Sequence, residues 1–106
     1  MPEMTVDVCW PDGRTESLYS PSLVVHDHLV PGRAYSVRDF TRRTTLALET
    51  ASERVRERYG FACTSAQATI EQVTTSAAAY DADEVVLVTR MWPPLPAETT
   101  QQEASA

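Results

Sequence analysis

Residues 36 to 60 constrain the fold more than any other stretch, because they carry start and stop signals for one long helix. Ser36 and Asp39 have the spacing of a capping box, in which a side-chain oxygen accepts a hydrogen bond from an early backbone N–H. Gly60 can adopt the left-handed conformation that ends a helix. The sequence therefore predicts a helix over Val37–Tyr59.

This helix is predicted to bury a single stripe of side chains. Tyr35 and Phe40 occupy the two positions of a hydrophobic staple at its start. At roughly 100° per residue, the inward positions are Val37, Phe40, Thr44, Leu48, Ala51, Val55 and Tyr59. A helix cannot shield its own stripe, so the rest of the chain must supply a surface that covers it.

A β-hairpin is predicted ahead of the helix. In residues 4 to 10, apolar side chains alternate with polar ones, and PDG at 11 to 13 supplies the turn. A type I turn with Gly13 at the left-handed bulge position pairs Trp10 with Arg14 and sets Val6 opposite Leu18. The other hairpin face then carries Thr5, Asp7, Cys9 and Tyr19.

Three further elements follow from local patterns. Residues 21 to 30 fit a short helix with Ser20 as N-cap, which we favour, or an extended segment. A second helix over Ser65–Tyr80 is predicted to bury Ala66, Ile70, Val73, Ala77 and Tyr80. Glu84–Trp92 forms a strand without alternation, as is typical of a strand covered on both faces.

The predicted order is strand, strand, short helix, long helix, helix, strand. This order favours an α/β (α+β) fold with a small mixed sheet of about three strands, two main helices on one face, and the last strand beside the first. Residues 1–92 form one domain, and residues 93–106 form a disordered polar tail. A two-layer domain leaves one face of the last strand uncovered, so a homodimer or a partner protein is expected to cover it.

Composition excludes several classes of activity. The 106-residue chain has a net charge of -6 and no lysine, which excludes Schiff-base and P-loop lysine chemistry. Its three glycines are used in turns and caps, so no phosphate-binding loop can be drawn. Arginines of the long helix share their face with glutamates, which argues against nucleic-acid binding. No export signal or membrane span is visible, so a cytoplasmic location with free thiols is expected.

Two local features are candidates for a metal site or a reactive site. His26 and His28 flank Asp27, but two positions apart they share a side only on a strand, and no third ligand is apparent, so no metal is expected. Cys63 precedes the second helix, where backbone amides lower a thiol's pKa. A buried packing role is the preferred interpretation of Cys63, and a reactive nucleophile is the alternative.

Several separated motifs resemble one known family. They are WPDG at 10–13, YSPSLVV at 19–25, G-x-x-Y-x-V-x-D-F at 32–40 and AL-x-x-ASERVR-x-RYGFAC at 47–63. In this order they resemble a family of small bacterial proteins named for a nitrogen starvation response. The resemblance implies gene clusters that also encode a nitrilase, a radical-SAM protein, an acetyltransferase, an aminoimidazole-ribonucleotide-synthase-like protein and a flavoprotein. It implies no catalytic residue and no cofactor.

These expectations favour a non-catalytic accessory or interaction protein that serves nitrogen scavenging from nitriles or cyanide. Its partner would be a second copy or a protein from the same gene cluster. A small-molecule sensor or carrier is the first alternative, and an enzyme using Cys63 is the second. The matched polar positions define a candidate binding set: Tyr19, Ser20, Ser22, Arg54, Tyr59 and Cys63.

Overall fold

The computed structural model describes residues 3–60 and 64–94. It contains four strands, a short 3-10 helix and two α-helices within those ranges. Along the chain these are β1 (Met4–Cys9), β2 (Thr15–Ser20), the 3-10 helix (Leu23–Asp27), β3 (Ala34–Ser36), α1 (Val37–Tyr59), α2 (Thr64–Ala77) and β4 (Val85–Trp92).

The strands form one sheet in the order β2-β1-β4-β3. The α+β class, the element order and the placement of the last strand beside the first are confirmed. The sheet differs from the expectation in having four strands and in being antiparallel at every pairing. Strand β3 was missed because it is only three residues long and runs directly into α1, where Tyr35 had been assigned to the helix staple.

The hairpin has the predicted register. Val6 lies opposite Leu18, and the Trp10 N–H donates to the Arg14 carbonyl at 2.8 Å. Gly13 closes the turn with φ +90°, a conformation that side chains other than glycine rarely adopt.

Helix α1 begins and ends where its signals predict. The Ser36 hydroxyl accepts a hydrogen bond from the Asp39 N–H at 3.1 Å, and Gly60 ends the helix with φ +84°. The buried stripe stops at Ala51. Tyr59 was expected to face the core but is 51% exposed. The last two turns of α1, after Ala51, therefore carry no buried side chain.

The segment after the hairpin is helical, as favoured, but as a short 3-10 helix. Its N-cap is Ser22, whose hydroxyl accepts from the Val24 N–H, and not Ser20 as expected. Helix α2 ends at Ala77, three residues earlier than predicted, so Tyr80 lies beyond it. Tyr80 still packs against the core.

Both α-helices cover the same side of the sheet, which we call the inner face. The core lies between the helices and the sheet. It consists of Met4, Val6, Val8, Trp10, Leu18, Val25, Leu29, Tyr35, Phe40, Ala47, Val73, Val86, Val88 and Met91. Trp10 is its largest member, with an edge-on contact to Phe40 and a stacked contact to Tyr80.

Two predictions concern the limits of the chain. Most of the expected disordered tail, residues 95–106, lies outside the described residues. Among the helices that are described, none is long and apolar enough to cross a membrane.

Candidate interaction surface

The sheet has a second face, which points away from both helices. Within the described residues no helix packs on this side, and we call it the outer face. Its side chains come from all four strands: Thr5, Asp7 and Cys9 in β1, Thr15, Ser17 and Tyr19 in β2, Ala34 and Ser36 in β3, and Val85, Leu87, Arg90 and Trp92 in β4.

Apolar side chains are exposed along the β4 part of the outer face. Val85 is 53% exposed, Leu87 39% and Trp92 57%, whereas the intervening Val86 and Val88 are fully buried. Burial therefore alternates along a strand whose sequence does not. The sequence predicted that both faces of β4 are covered. Within the described chain only its inner face is covered. Val85 and Leu87 form an exposed apolar patch at one end of the outer face, and Trp92 lies at the other end, with Arg90 between them. Exposed apolar patches on a sheet face mark binding sites for proteins or ligands.

A β-bulge determines which β4 side chains reach the outer face. Val8 pairs with Val88, but Asp7 pairs with Arg90, so Thr89 is an extra residue in β4. The Thr89 hydroxyl donates to the Asp7 carbonyl at 3.0 Å. Because of this extra residue, Arg90 stays out of the core and Trp92 emerges on the outer side.

One acid and one base lie side by side at the centre of the outer face. Asp7 and Arg90 are register partners on neighbouring strands. Asp7 accepts a hydrogen bond from the Ser17 hydroxyl at 2.6 Å, and the Arg90 guanidinium carbon lies 5.1 Å from the Trp92 ring centroid. This central pair makes the outer face locally neutral on a chain with a net charge of -6.

Of the predicted binding residues, those in YSPS divide between two environments. Tyr19 lies on the outer face, but Ser20 and Ser22 are buried. The Ser20 hydroxyl donates to the Ser22 carbonyl at 2.8 Å and accepts from the Ser22 N–H at 3.2 Å. The Ser22 hydroxyl accepts from Val24 as the N-cap. Both serine hydroxyls thus fix the junction between β2 and the 3-10 helix.

The remaining predicted binding residues lie elsewhere. Arg54 and Tyr59 are exposed on the second half of α1, which packs on the inner side and is therefore separated from Tyr19 by the sheet. Cys63 lies outside the described residues, so its reactivity stays a prediction. The structure does not bring the described members of the set together at one place.

His26 and His28 have contacts of other kinds. His26 Nε2 donates to the Pro93 carbonyl at 2.9 Å, which ties the 3-10 helix to the end of β4. The His28 carbonyl accepts from Arg43 at 3.1 Å. No group of three or more His, Cys, Asp or Glu side chains suited to a metal occurs in the described part of the chain.

A half-buried carboxylate that sequence patterns did not single out joins the hairpin to α2. Glu16 accepts hydrogen bonds from Trp10 Nε1 at 2.8 Å, Gln72 Nε2 at 2.7 Å and the Ser76 hydroxyl at 2.7 Å. Burial raises the pKa of Glu16, but these hydrogen bonds and the Arg14 charge together outweigh burial, so the pKa lies below its ordinary value. With its donors supplied by the protein, Glu16 anchors α2 to the sheet.

Comparison with known proteins identifies the family. Neither the curated proteins nor the solved structures gave a match. A family model described as nitrogen starvation-induced protein NitG matches residues 5–91, from the first strand to the last. This range includes the hairpin, all the helices and nearly all of the outer face. The chain belongs to the NitG family of nitrogen starvation-induced proteins.

Proposed function

We propose that this protein is a non-catalytic accessory protein of the nitrogen starvation response that acts by binding protein through its outer face. One observation carries the proposal: a sheet face bearing Val85, Leu87 and Trp92 is exposed, although both helices of the chain are already used on the inner face. Side chains of this size on an exposed sheet are typical of a surface that becomes buried on association.

The family gives this association a setting. Its description links the chain to nitrogen starvation, and the resemblance implies companion genes for a nitrilase and other enzymes. We therefore assign the accessory role to scavenging of nitrogen from nitriles or cyanide. An accessory protein needs a binding surface more than it needs a reaction centre, and the outer face is such a surface.

The polar residues best placed for chemistry are already engaged in the fold. Glu16 accepts three hydrogen bonds from protein groups, and the hydroxyls of Ser20 and Ser22 stabilise a chain junction. These contacts favour binding over catalysis, and they remove the two serines on which the carrier hypothesis most depended.

Complementation tests this function with a matched pair of variants. Leu87 lies on the outer face, whereas Leu46 is 47% exposed on α1. In cells that lack the gene and have a nitrile as nitrogen source, we expect the wild type and Leu46→Glu to restore growth. Leu87→Glu should accumulate to the same level and fail to restore it.

Two results would contradict the proposal. One is full restoration of growth by Leu87→Glu, which would mean that the outer face has no role. The other is normal growth of the deletion strain under nitrogen starvation and on nitriles, which would remove the pathway. Co-purification of the chain with the nitrilase, measured for both variants, shows whether a lost phenotype accompanies a lost complex.

A further inference from the structure

The register of the two central strands makes the outer face complementary to itself. Strands β1 and β4 are antiparallel neighbours. Their register rows on the outer face are Thr5 with Trp92, Asp7 with Arg90, and Cys9 with Leu87. Consider a two-fold axis that runs parallel to the strands, above the outer face and midway between β1 and β4. It places every β1 residue of one copy over its row partner in β4 of the other copy, and every β4 residue over its row partner in β1.

We propose that a second copy of this chain covers the outer face, with the two sheets packed face to face about this axis. The inference rests on the proposed function in one respect, that the outer face binds protein. Two sheets packed in this way lie about 10 Å apart with their strands roughly aligned, as in a β-sandwich.

The apolar side chains gain complementary neighbours in this arrangement. Leu87 of one copy lies over the partner's Cys9, a small half-buried thiol. Trp92 lies over the partner's Thr5, so the largest exposed ring meets a small side chain. Alternation of large and small groups across the interface lets the two faces interdigitate without voids.

The central charges pair in the same arrangement. Asp7 of each copy faces the partner's Arg90, which gives two equivalent ion pairs across the axis. Within one described chain, no ion pair joins Asp7 to Arg90. Because each chain carries a net charge of -6, two copies repel at most orientations, and a neutral face with one acid and one base favours this approach.

The sheet edges are less suitable for a second copy. At edge strand β2, the Gln72 side chain donates to the Ser17 carbonyl at 3.2 Å and occupies an acceptor that an added strand would need. At the other edge, β3 has only three residues before α1 begins. Short or occupied edges of this kind oppose strand addition.

The size of the outer face predicts a dimer that dissociates on dilution. Four strands at about 4.8 Å spacing and six residues at about 3.4 Å each give a face of roughly 19 by 20 Å. Stable interfaces bury about 800 Å² on each partner, and the roughly 380 Å² of this face is about half of that, so it supports only a weak dimer. The measured mass should therefore rise with protein concentration.

Charge exchange between copies tests the inference. By light scattering, the full chain should approach twice its 11.8 kDa mass at high concentration. Asp7→Arg alone and Arg90→Asp alone should each remain monomeric, because each places like charges across the axis. Mixing these two variants should restore a heterodimer, which a mass tag on one of them identifies in native mass spectrometry.

The mixing step separates contacts between copies from contacts within one copy. If the two substitutions act only within their own chain, both variants stay monomeric after mixing, and that result overturns the proposal. A wild-type chain that is monomeric at every concentration also overturns the proposal. The outer face would then bind the C-terminal tail or another protein. Leu87→Glu should be monomeric with unchanged circular dichroism, and Leu46→Glu should dimerise like the wild type.

The outcomes for the dimer and for the function are distinguishable. A monomeric wild type whose Leu87→Glu variant still fails to restore growth overturns the dimer and leaves the accessory function standing. A dimer that Leu87→Glu breaks without any effect on growth overturns the function and leaves the dimer standing.

Discussion

The two faces of this sheet are built from the same strands, yet they differ in what stabilises them. On the inner face, Val86 and Val88 are fully buried under helices of the same chain. On the outer face, Val85 and Leu87 have similar chemistry and remain exposed. Apolar composition therefore does not decide whether a sheet face belongs to the core. What decides it is where the chain's remaining elements pack.

The difference also concerns polar groups. On the inner side, Glu16 reaches the edge of the core and accepts hydrogen bonds from Trp10, Gln72 and Ser76. On the outer side, Asp7 and Arg90 lie at the surface, where they can pair with another molecule. The inner face is covered within one chain, whereas Asp7 and Arg90 of the outer face would form ion pairs only in the proposed dimer.

The two tryptophans offer the largest test of this comparison. Trp10 is 1% exposed between Phe40 and Tyr80, so Trp10→Ala should lower the free energy of unfolding by about 4 kcal/mol. Trp92→Ala, on the outer face, should lower it by less than about 1 kcal/mol. Urea denaturation of dilute protein measures both, and equal losses would contradict the distinction between the faces.

Glu16 gives a smaller effect that depends on pH. Glu16→Ala should cost about 3 kcal/mol of unfolding free energy, because it leaves the buried donors of Trp10 and Ser76 without their acceptor. Glu16→Gln keeps the shape and should cost about 1 kcal/mol at pH 7. Denaturation of both variants and the wild type, at several pH values, measures these differences.

The sign of the pH dependence follows from the lowered pKa of Glu16. A carboxyl group whose pKa is lower in the folded state contributes stability above its unfolded pKa and loses it as pH falls through the folded pKa. The difference between wild type and Glu16→Gln should therefore be full at pH 7 and shrink below about pH 4. A difference that grows on acidification would show that Glu16 is not held as a carboxylate.

Adjacent residues of β4 give the smallest and most local test. Val88→Ala removes fully buried methyl groups and should cost about 2 kcal/mol of unfolding free energy. Leu87→Ala removes more atoms, but from the outer face, and should change that free energy by no more than about 0.5 kcal/mol in dilute protein. Comparable losses at the two positions would mean that the chain itself covers the outer face.

Sequence patterns predicted the elements whose signals are local. The turn chemistry around Gly13 fixed the hairpin register, and Ser36 with Gly60 fixed both ends of α1. Each of these signals acts over a few residues, so it can be recognised without knowing the fold. The family, too, was recognisable from short motifs in order, and the match over residues 5–91 confirms it.

Features that depend on distant parts of the chain were missed. The Glu16 anchor uses Gln72 and Ser76, which lie 56 and 60 positions away, and no local pattern announces such a contact. Tyr59 continued the apolar stripe of α1 in sequence, but no other part of the described chain buries it. In the proposed binding set, Ser20 and Ser22 stabilise a chain junction, which a local motif does not reveal, and binding by the set stays a prediction.

The bulge at Thr89 makes β4 two half-strands that are out of phase by one residue. Before it, odd-numbered side chains point outward, and after it even-numbered ones do, so Met91 stays in the core while Trp92 leaves it. Deleting Thr89 alone would join the two halves into one regular strand, in which Arg90 still pairs with Asp7 and points outward while Met91 still points into the core. The position should therefore tolerate deletion as well as substitution, because the residues on either side of Thr89 keep their partners in β1 without it.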